Sequence, residues 1–269
     1  MPEGDTVWRA AQRLNDALAH RVLTGSDFRL PSLASVDLTG STVLGVVPRG
    51  KHLLTRLSEG RTLHTHFLMD GAWHLYRRSE RWRGGPAHEV RVVLENADWA
   101  AVGYRLPVVE LLPTSRESEV VGHLGPDLLG PDWDAEEAER RLRGRPEREI
   151  GDALRDQSNL AGIGNIYACE TLFISRIDPW SRVGGIEDLP GVIATARRLL
   201  TRNARRGTQT TTDDDRRPHY VYGRRGRACY RCGTSVRARE QGAPLRMRLT
   251  YWCPTCQPPA AAEEAIRPV

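Results

Sequence analysis

The sequence predicts an α+β fold of two domains, an N-terminal β-sandwich that begins with a helix and a C-terminal helical domain that ends in a cysteine-rich hairpin. Short β-rich runs broken by Gly, Pro and Asn fill the chain from Val22 to Leu112, and helical periods begin at Asp134. Four cysteines then stand near the C-terminus in two pairs. The predicted boundaries are 2–112 for the sandwich, 113–133 for a linker, 134–218 for the helical domain, 219–257 for the hairpin and 258–269 for a flexible tail.

In the N-terminal domain, the spacing of apolar residues predicts a helix over Thr6–Arg21 with Asp5 or Thr6 as its N-cap. Short runs rich in β-branched and apolar residues follow it and predict a sandwich or a barrel. The predicted strands are Val43–Val47, His52–Leu57, Ala72–Tyr76, Val90–Leu94 and Val108–Leu112.

The C-terminal half changes to helical periods after the Pro-, Gly- and acid-rich linker. The predicted helices are Asp134–Arg143, Pro146–Gln157, Ile166–Ser175 and Leu189–Arg205. A turn with two glycines, Ser158–Asn165, separates the second helix from the third, and a polar loop, Gly207–Pro218, leads to the cysteines.

The last four of the five cysteines have the spacing Cys-x2-Cys-x20-Cys-x2-Cys, which predicts one structural Zn²⁺ on a hairpin. The ligands are Cys229, Cys232, Cys253 and Cys256. Disulfides are the alternative, although a reducing cytosol disfavours them. Four cysteines leave no open coordination position, so the metal should hold a shape and not catalyse. The fifth, Cys169, is expected to be a small buried side chain. The segment Arg246–Trp252 alternates arginine with apolar residues, so its arginines should share one face that suits phosphate.

Charge and hydropathy exclude some classes of protein. No run approaches 18 consecutive apolar residues and the N-terminus lacks the pattern of a secretory signal, so we expect a cytosolic protein without a membrane span. Net charge is only +5, but Thr201–Cys256 contains thirteen arginines against four acidic residues. This segment indicates a polyanionic partner, usually nucleic acid, or else an arginine-rich solvated surface.

Lys51 is the only lysine among 39 basic residues. Lysine offers a compact ammonium group whose pKa can shift, whereas arginine is always charged. Lys51 is therefore a candidate site residue, with chance survival as the alternative.

Six motifs in order resemble the formamidopyrimidine-DNA glycosylase / endonuclease VIII family, in its endonuclease VIII-like bacterial branch. They are Met1–Gly4, Arg49–Leu54, His66–Gly71, Leu160–Ala168, Val221–Arg224 and the cysteine pairs. The resemblance covers nearly the whole chain. It implies a bifunctional DNA glycosylase/AP lyase of base excision repair in the bacterial cytosol or nucleoid, with damaged DNA as its partner. Monomer is the default expectation.

The resemblance implies that Pro2, after removal of Met1, is the nucleophile. An α-amino group is partly unprotonated at pH 7, and a secondary amine that attacks C1′ of a sugar gives an iminium that favours β,δ-elimination. Glu3 would be the general acid/base and Lys51 the catalytic and phosphate-binding lysine. The alternative is that Pro2 has no catalytic role, because proline is common directly after the initiator methionine.

For DNA binding, the resemblance implies phosphate contacts from His66, from Asn165 at the helix–two-turn–helix and from Arg248 of the zinc finger. A helix N-terminus after a glycine turn favours phosphate. Met69 would be an apolar wedge that holds the base stack open. A lone histidine such as His66 is otherwise more often structural.

Three departures from the family pattern bear on activity. Thr6 stands where the family has a second glutamate, so that role is missing or falls to Asp5. Asp98–Gly103 lacks the arginine and phenylalanine of the usual wedge motif. The loop from Gly207 to Val221 is too short for the lid that covers 8-oxoguanine, which favours oxidised pyrimidines or abasic sites. The alternative is a non-catalytic zinc-finger protein that binds damaged DNA, and a zinc-ribbon transcription or RNA-binding protein is a third interpretation.

Overall fold

The computed structural model describes residues 2–244 and 247–259, in two compact units that divide between His123 and Leu124. Met1, Leu245, Arg246 and residues 260–269 of the predicted tail lie outside the described residues. Within the described part, no helix is long and apolar enough to cross a membrane.

The first unit is an antiparallel β-sandwich that begins with a helix, as predicted. Its elements are α1 (Gly4–Leu18), β1 (Gly25–Phe28), β2 (Val43–Arg49), β3 (His52–Leu57), β4 (Arg61–His66), β5 (Ala72–Arg77), β6 (Val90–Glu95), β7 (Trp99–Tyr104) and β8 (Val108–Pro113). One sheet has the order β1-β6-β7-β5 and the other β2-β3-β4-β8. Side chains from both sheets and from α1 share one apolar core, for example Val7, Leu53 and Leu94.

Three strands, β1, β4 and β7, were not predicted from the sequence. β1 contains Gly and Asp, β4 alternates Thr and His, and β7 is rich in Ala. None of these compositions signals a strand by itself, because strand preference depends on the neighbours that a side chain packs against.

The predicted N-cap of α1 was wrong. Glu3 occupies that position, while Asp5 lies in the first turn and Thr6 follows it. The carbonyl oxygen of Glu3 already accepts the first helical hydrogen bonds, so the helix begins two residues before Thr6. It also ends earlier than predicted, because the backbone is extended at Ala19 and left-handed at His20 (φ 61°).

The second unit is helical and packs around its own core. Its helices, after the short α2 (Glu117–Val121) of the first unit, are α3 (Ala135–Arg143), α4 (Ile150–Arg155), α5 (Asn165–Ile174) and α6 (Leu189–Arg206). α4 is shorter than the predicted helix Pro146–Gln157, because Glu149 forms an isolated bridge with Arg182. An antiparallel hairpin, β9 (Arg237–Gln241) and β10 (Arg248–Trp252), follows in the region predicted for it.

The segment predicted as a linker, 113–133, holds more structure than its composition suggests. It contains α2, and Leu124 and Leu128 within it are buried. The division between the two units falls inside this segment.

Candidate functional site

Pro2 and Glu3 lie directly before α1. The carbonyl oxygen of Glu3 accepts hydrogen bonds from the backbone N–H groups of Thr6 (3.0 Å) and Val7 (3.2 Å). The side chain of Glu3 is completely buried and Pro2 is half-buried. The positive end of the helix dipole lies here, where it stabilises a carboxylate and disfavours a protonated amine. The position therefore suits an acid–base carboxyl beside a neutral amine.

Asp5 and Thr6 occupy the first turn of α1. The Asp5 side chain is completely buried, and its Oδ2 lies 3.6 Å from Nη1 of Arg9. The Thr6 hydroxyl lies 3.4 Å from the other oxygen of Asp5. The Asp5 carboxylate beside Thr6 thus also lies close to an arginine.

Lys51 lies at the tip of the β2–β3 hairpin. Arg49 pairs with His52, so the turn between them is the dipeptide Gly50–Lys51. Gly50 has φ 58°, the positive value that the first central residue of a type II′ turn requires, and glycine adopts it without steric cost. The tight turn fixes where the backbone of the single lysine sits.

A cluster of histidines follows Lys51 on β3 and β4. Nδ1 of His52 lies 2.8 Å from Nε2 of His64, and Nδ1 of His64 lies 3.0 Å from Oε2 of Glu110. The ring of His66 meets that of His52 edge to face, with 4.7 Å between centroids. The sequence motif singled out His66, but His64 and Glu110 carried no local signal.

Two histidines of this cluster are held neutral at pH 7. Burial, with the charges of neighbouring histidines and of Lys51, lowers the pKa of His52 to about 3. Burial and the charge of Lys51 lower the pKa of His66 to about 4. Neutral rings can donate and accept hydrogen bonds in fixed directions, which a doubly protonated ring cannot do.

Met69 lies on an exposed turn after β4. It is 61% exposed and its neighbour Leu68 is 51% exposed, whereas Phe67 is buried in the core. Gly71 closes the turn: its N–H donates to the Phe67 carbonyl (2.9 Å), and a Cβ at this position would meet that oxygen at 2.7 Å. The turn thus projects two apolar side chains from an anchored base, as an inserting wedge requires.

Asn165 is the first residue of α5, after the turn with two glycines. Its Nδ2 donates to the carbonyl of Leu249 (2.9 Å), and its Oδ1 accepts from Arg155 (2.9 Å). The same Arg155 guanidinium donates to Thr250 Oγ1 (2.7 Å) and to Gln241 Oε1 (3.2 Å). These bonds tie the N-terminus of α5 to the β9–β10 hairpin. No local sequence signal pointed to Arg155, because its partners Thr250 and Gln241 are far away along the chain.

Glu170 anchors the loop that leads to the hairpin. Its carboxylate is completely buried and accepts hydrogen bonds from the backbone N–H groups of Tyr220, Val221 and Tyr222, each at 2.8 Å. The hydroxyl of Thr211 donates to the same carboxylate. One acidic side chain of α5 thus holds both ends of the segment 211–222. The motif Leu160–Ala168 stops two residues before it.

The four paired cysteines lie close together, as the zinc prediction requires. Their sulfur atoms are all within 4.8 Å of one another, with 3.9 Å between Cys229 and Cys256 and 3.5 Å between Cys232 and Cys253. Four sulfurs at about 2.3 Å from a tetrahedral Zn²⁺ are about 3.8 Å apart, whereas a disulfide needs about 2.05 Å. The cysteines are thus positioned to bind a metal ion, and Zn²⁺ fits them.

Arg248 begins β10, and its side chain is exposed. Its Nη1 donates to the adjacent Met247 carbonyl (2.9 Å), while Thr250 and Trp252 on the same strand are buried. Side chains alternate along a strand, so Arg248 shares a face with Thr250 and Trp252, and that face is exposed at its start and buried towards its end. Arg246, expected on the same face, lies outside the described residues.

The segment Asp98–Gly103, which departs from the family's wedge motif, is mostly strand β7. Ala100, Ala101 and Val102 are buried, and Arg77 stacks on the Trp99 ring at 3.9 Å. This stretch contributes to the sandwich core.

Comparisons with known proteins agree with this architecture. The family model described as "Formamidopyrimidine-DNA glycosylase N-terminal domain" matches residues 1–105, and the "Formamidopyrimidine-DNA glycosylase H2TH domain" model matches residues 124–214. The crystal structure of wild-type Lactococcus lactis Fpg bound to DNA that contains N7-benzyl-Fapy-dG superposes with a TM-score of 0.79. The superposition covers 96% of this chain and 100% of the Lactococcus lactis chain at 22% sequence identity, so it supports the fold assignment alone.

Similar sequences are more specific. "Probable endonuclease 8 2" of Streptomyces coelicolor is 55% identical over 100% of this chain and 99% of its own length. "DNA-(apurinic or apyrimidinic site) lyase Nei2" of Mycolicibacterium smegmatis is 42% identical over 96% of this chain and 99% of its own length. Fold, cysteine cluster and relatives define a class of DNA repair glycosylases and lyases. The chain belongs to the formamidopyrimidine-DNA glycosylase / endonuclease VIII family of base excision repair.

Proposed function

We propose that this protein is a bifunctional DNA glycosylase/AP lyase that removes oxidised bases, pyrimidines in particular, and cuts the strand by β,δ-elimination through an iminium at Pro2. The observation that carries the proposal is the completely buried carboxyl group of Glu3, one residue after Pro2 and at the positive end of α1. An acid in this position can exchange protons with a sugar bound to the neighbouring amine.

The chemistry starts after removal of Met1, which leaves Pro2 with a secondary amine. The amine attacks C1′ and the bond from C1′ to the damaged base breaks, and the base leaves with the proton that the amine loses. Protonation of the ring oxygen by Glu3 then opens the sugar to an iminium. Loss of a C2′ proton then expels the 3′ phosphate, and a second elimination expels the 5′ phosphate. Hydrolysis of the remaining iminium frees the amine. The dipole of α1 supports the first step because it disfavours the protonated amine.

We assign the DNA contacts as follows. Lys51 at its hairpin tip and the neutral His66 bind backbone phosphate in the first unit. In the second unit, Asn165 binds phosphate through the amide hydrogen that does not bond to Leu249. The exposed Arg248 binds phosphate through the guanidinium donors that do not bond to Met247. The exposed Met69 enters the base stack. These contacts position DNA but carry little sequence information.

One Zn²⁺ bound by the four clustered cysteines would supply structure and no reaction chemistry, because all four positions are taken by sulfur. The cysteines would hold the β9–β10 hairpin, and with it Arg248, in a fixed shape. We further propose that the protein acts as a monomer in the bacterial cytosol or nucleoid.

The preference for oxidised pyrimidines or abasic sites is supported by the loop Gly207–Val221. The loop is short and held down by Glu170, so it has little free length to fold over a purine. The names of the relatives, endonuclease 8 and abasic-site lyase, point the same way.

The test is strand cleavage of duplexes that carry thymine glycol, dihydrouracil, 8-oxoguanine or an abasic site. We expect cleavage of the first two and of the abasic duplex, with both 3′ and 5′ phosphate ends. Glu3→Gln and a form with an irremovable residue before Pro2 should lose cleavage but still bind a duplex with a tetrahydrofuran abasic analogue. Tight binding to that duplex by wild-type protein that never cleaves would overturn the enzymatic proposal in favour of a damage-binding protein.

A further inference from the structure

The guanidinium group of Arg155, at the end of α4, is the centre of a hydrogen-bond network in the second unit. Its Nη1 donates to Oδ1 of Asn165 (2.9 Å) and to Oγ1 of Thr250 (2.7 Å). Its Nη2 donates to the backbone carbonyl (3.3 Å) and to Oε1 (3.2 Å) of Gln241. One side chain of α4 therefore contacts the first residue of α5 and both strands of the β9–β10 hairpin.

The acceptors on the hairpin are themselves held in place. Nε2 of Gln241 donates to Oε2 of Glu149 and to the carbonyl of Pro179, each at 2.8 Å, so its Oε1 is the atom that faces Arg155. The hydroxyl of Thr250 donates to the same Oε1 (3.0 Å), which leaves its lone pairs for the guanidinium group. Gln241 and Thr250 are both buried. The position of the Arg155 guanidinium group is therefore fixed.

The side-chain amide of Asn165 has one orientation in this network. A guanidinium group only donates hydrogen bonds, and a backbone carbonyl only accepts them. Oδ1 of Asn165 must therefore face Arg155, and Nδ2 must face the carbonyl of Leu249, to which it donates (2.9 Å). Arginine is always charged, so this assignment is independent of pH. The reversed amide would place donor against donor and acceptor against acceptor.

The NH₂ group of Asn165 has a second hydrogen beyond the one that bonds to Leu249. Within residues 2–244 and 247–259, no group accepts this second hydrogen. Asn165 begins the ten-residue helix α5, where the helix dipole favours an anion. Only 8% of the residue is exposed, so the amide meets a ligand in the orientation that the network sets.

We propose that Arg155 is a positioning residue for DNA binding, which holds the amide of Asn165 so that its second hydrogen is available to a backbone phosphate. Through Thr250, the same guanidinium group also fixes α5 against the strand that begins with Arg248. Both terminal nitrogens of Arg155 donate to protein acceptors, so we assign it no phosphate contact of its own. This inference rests on the phosphate contacts of the proposed function.

The first test is a double-mutant cycle on affinity for the tetrahydrofuran duplex. Arg155→Met keeps an unbranched side chain without donors and should bind about fivefold more weakly, the effect expected when one hydrogen bond is lost. Asn165→Ala should weaken binding by a similar factor. The double variant should bind no more weakly than Asn165→Ala alone, because the two residues act as one unit. Losses that multiply to about 25-fold would overturn the positioning role.

Two further variants separate positioning from folding. Arg148→Met is the matched control: Arg148 is also partly buried and bonds to the carboxylates of Asp152 (2.6 Å) and Asp156 (2.7 Å), but not to Asn165. It should lower Tm and keep wild-type affinity. Arg155→Lys keeps a positive charge and a donor, but one nitrogen replaces the planar fork, so it should still weaken binding. Wild-type affinity in Arg155→Lys, or equal loss of affinity in Arg148→Met, would overturn the proposal.

The second test reads the amide directly by NMR. The chain has five asparagines, so ¹⁵N-asparagine labelling gives five side-chain NH₂ groups, and Asn165→Ala identifies one of them. In Arg155→Met the signals of Asn165 should move, while those of Asn15 and Asn96 in the first unit should stay. Unmoved Asn165 signals would overturn the positioning role.

The positioning role and the lyase function fail in different ways. Duplex binding and NMR need no turnover, so wild-type protein that binds but never cleaves the abasic strand would refute the lyase alone. Unchanged affinity in Asn165→Ala would refute the phosphate contact and the positioning role together. An active lyase with wild-type affinity in Arg155→Met would refute only the positioning role.

Discussion

Glu170→Gln tests how the loop before the zinc-binding hairpin is held. The wild-type carboxylate accepts four hydrogen bonds, from the N–H groups of Tyr220, Val221 and Tyr222 and from the Thr211 hydroxyl. Glutamine keeps one acceptor oxygen for Val221 and Tyr222, but an NH₂ group then faces the N–H of Tyr220. The hydroxyl of Thr211 can rotate and accept instead. The net change is one buried N–H without a partner and two bonds without charge assistance.

A buried unsatisfied donor costs about 1–3 kcal/mol, and a hydrogen bond to a charged group is worth more than one to a neutral group. We therefore expect Glu170→Gln to lower the free energy of unfolding by about 3 kcal/mol. At about 2–4 °C per kcal/mol for a unit of this size, Tm should fall by roughly 6–12 °C.

The assay is thermal and urea unfolding of the zinc-loaded protein, followed by circular dichroism. Glu187→Gln, which makes the same change at an exposed site, is the control and should alter Tm by less than about 2 °C. Trypsin should also cut the variant faster after Arg216, in the anchored loop. Equal Tm values for the two variants, or no change in trypsin cleavage, would refute the anchoring role of Glu170.

Three further predictions follow from single features of the two units. Met69→Ala should change the free energy of unfolding by less than about 0.5 kcal/mol, because the side chain is 61% exposed. The variant should cleave a lesion in duplex DNA more slowly but cleave the same lesion in single-stranded DNA at the wild-type rate. Equal slowing on both substrates would contradict the wedge role of Met69. Removal of zinc should unfold the β9–β10 hairpin and weaken DNA binding. Before chelation, mass spectrometry should find one Zn²⁺ per chain in both the wild-type protein and Cys169→Ser. Full DNA affinity after chelation would contradict the role given to Arg248. Because the pKa values of His52 and His66 fall to about 3 and about 4 on folding, the unfolded state binds more protons below pH 6.5, and unfolding free energy should decrease from about pH 6.5 to pH 4. Replacing both rings by Gln should flatten this part of the pH profile, and an identical slope in the double variant would exclude these histidines as its source.

The features that the sequence predicted well have local signals. Helical periodicity identified α3, α5 and α6 to within one residue at every end, and strand β3 was predicted over its observed limits. The cysteine spacing predicted the clustered thiols, because two Cys-x2-Cys turns on a hairpin converge wherever the rest of the chain lies. The two-glycine turn predicted that a helix would follow Asn165, and α5 begins at that residue, one position before the predicted start.

The features that were missed depend on partners far apart in sequence. Glu170 binds residues 41 to 52 positions later, and Arg155 binds a residue 95 positions later. Neither spacing belongs to any local period. The contacts from Glu110 through His64 to His52 require the register of three strands, one of which, β4, was not predicted. The N-cap of α1 was misplaced because Glu3 caps through its backbone and gives no side-chain signal.

Borohydride trapping identifies the amine that reacts with the abasic sugar. The chain offers few amines, since Lys51 is its only lysine, so an iminium can form at the N-terminal amine or at that lysine. The protein is incubated with a duplex that carries an abasic site, reduced with borohydride, digested with trypsin and mapped by mass spectrometry. The assignment of Pro2 as the nucleophile predicts a cross-link on the peptide Pro2–Arg9, at the amine of Pro2, in protein that has lost Met1. A cross-link on the peptide Gly50–Arg56, at Lys51, or no cross-link from trimmed protein that binds the duplex, would contradict it.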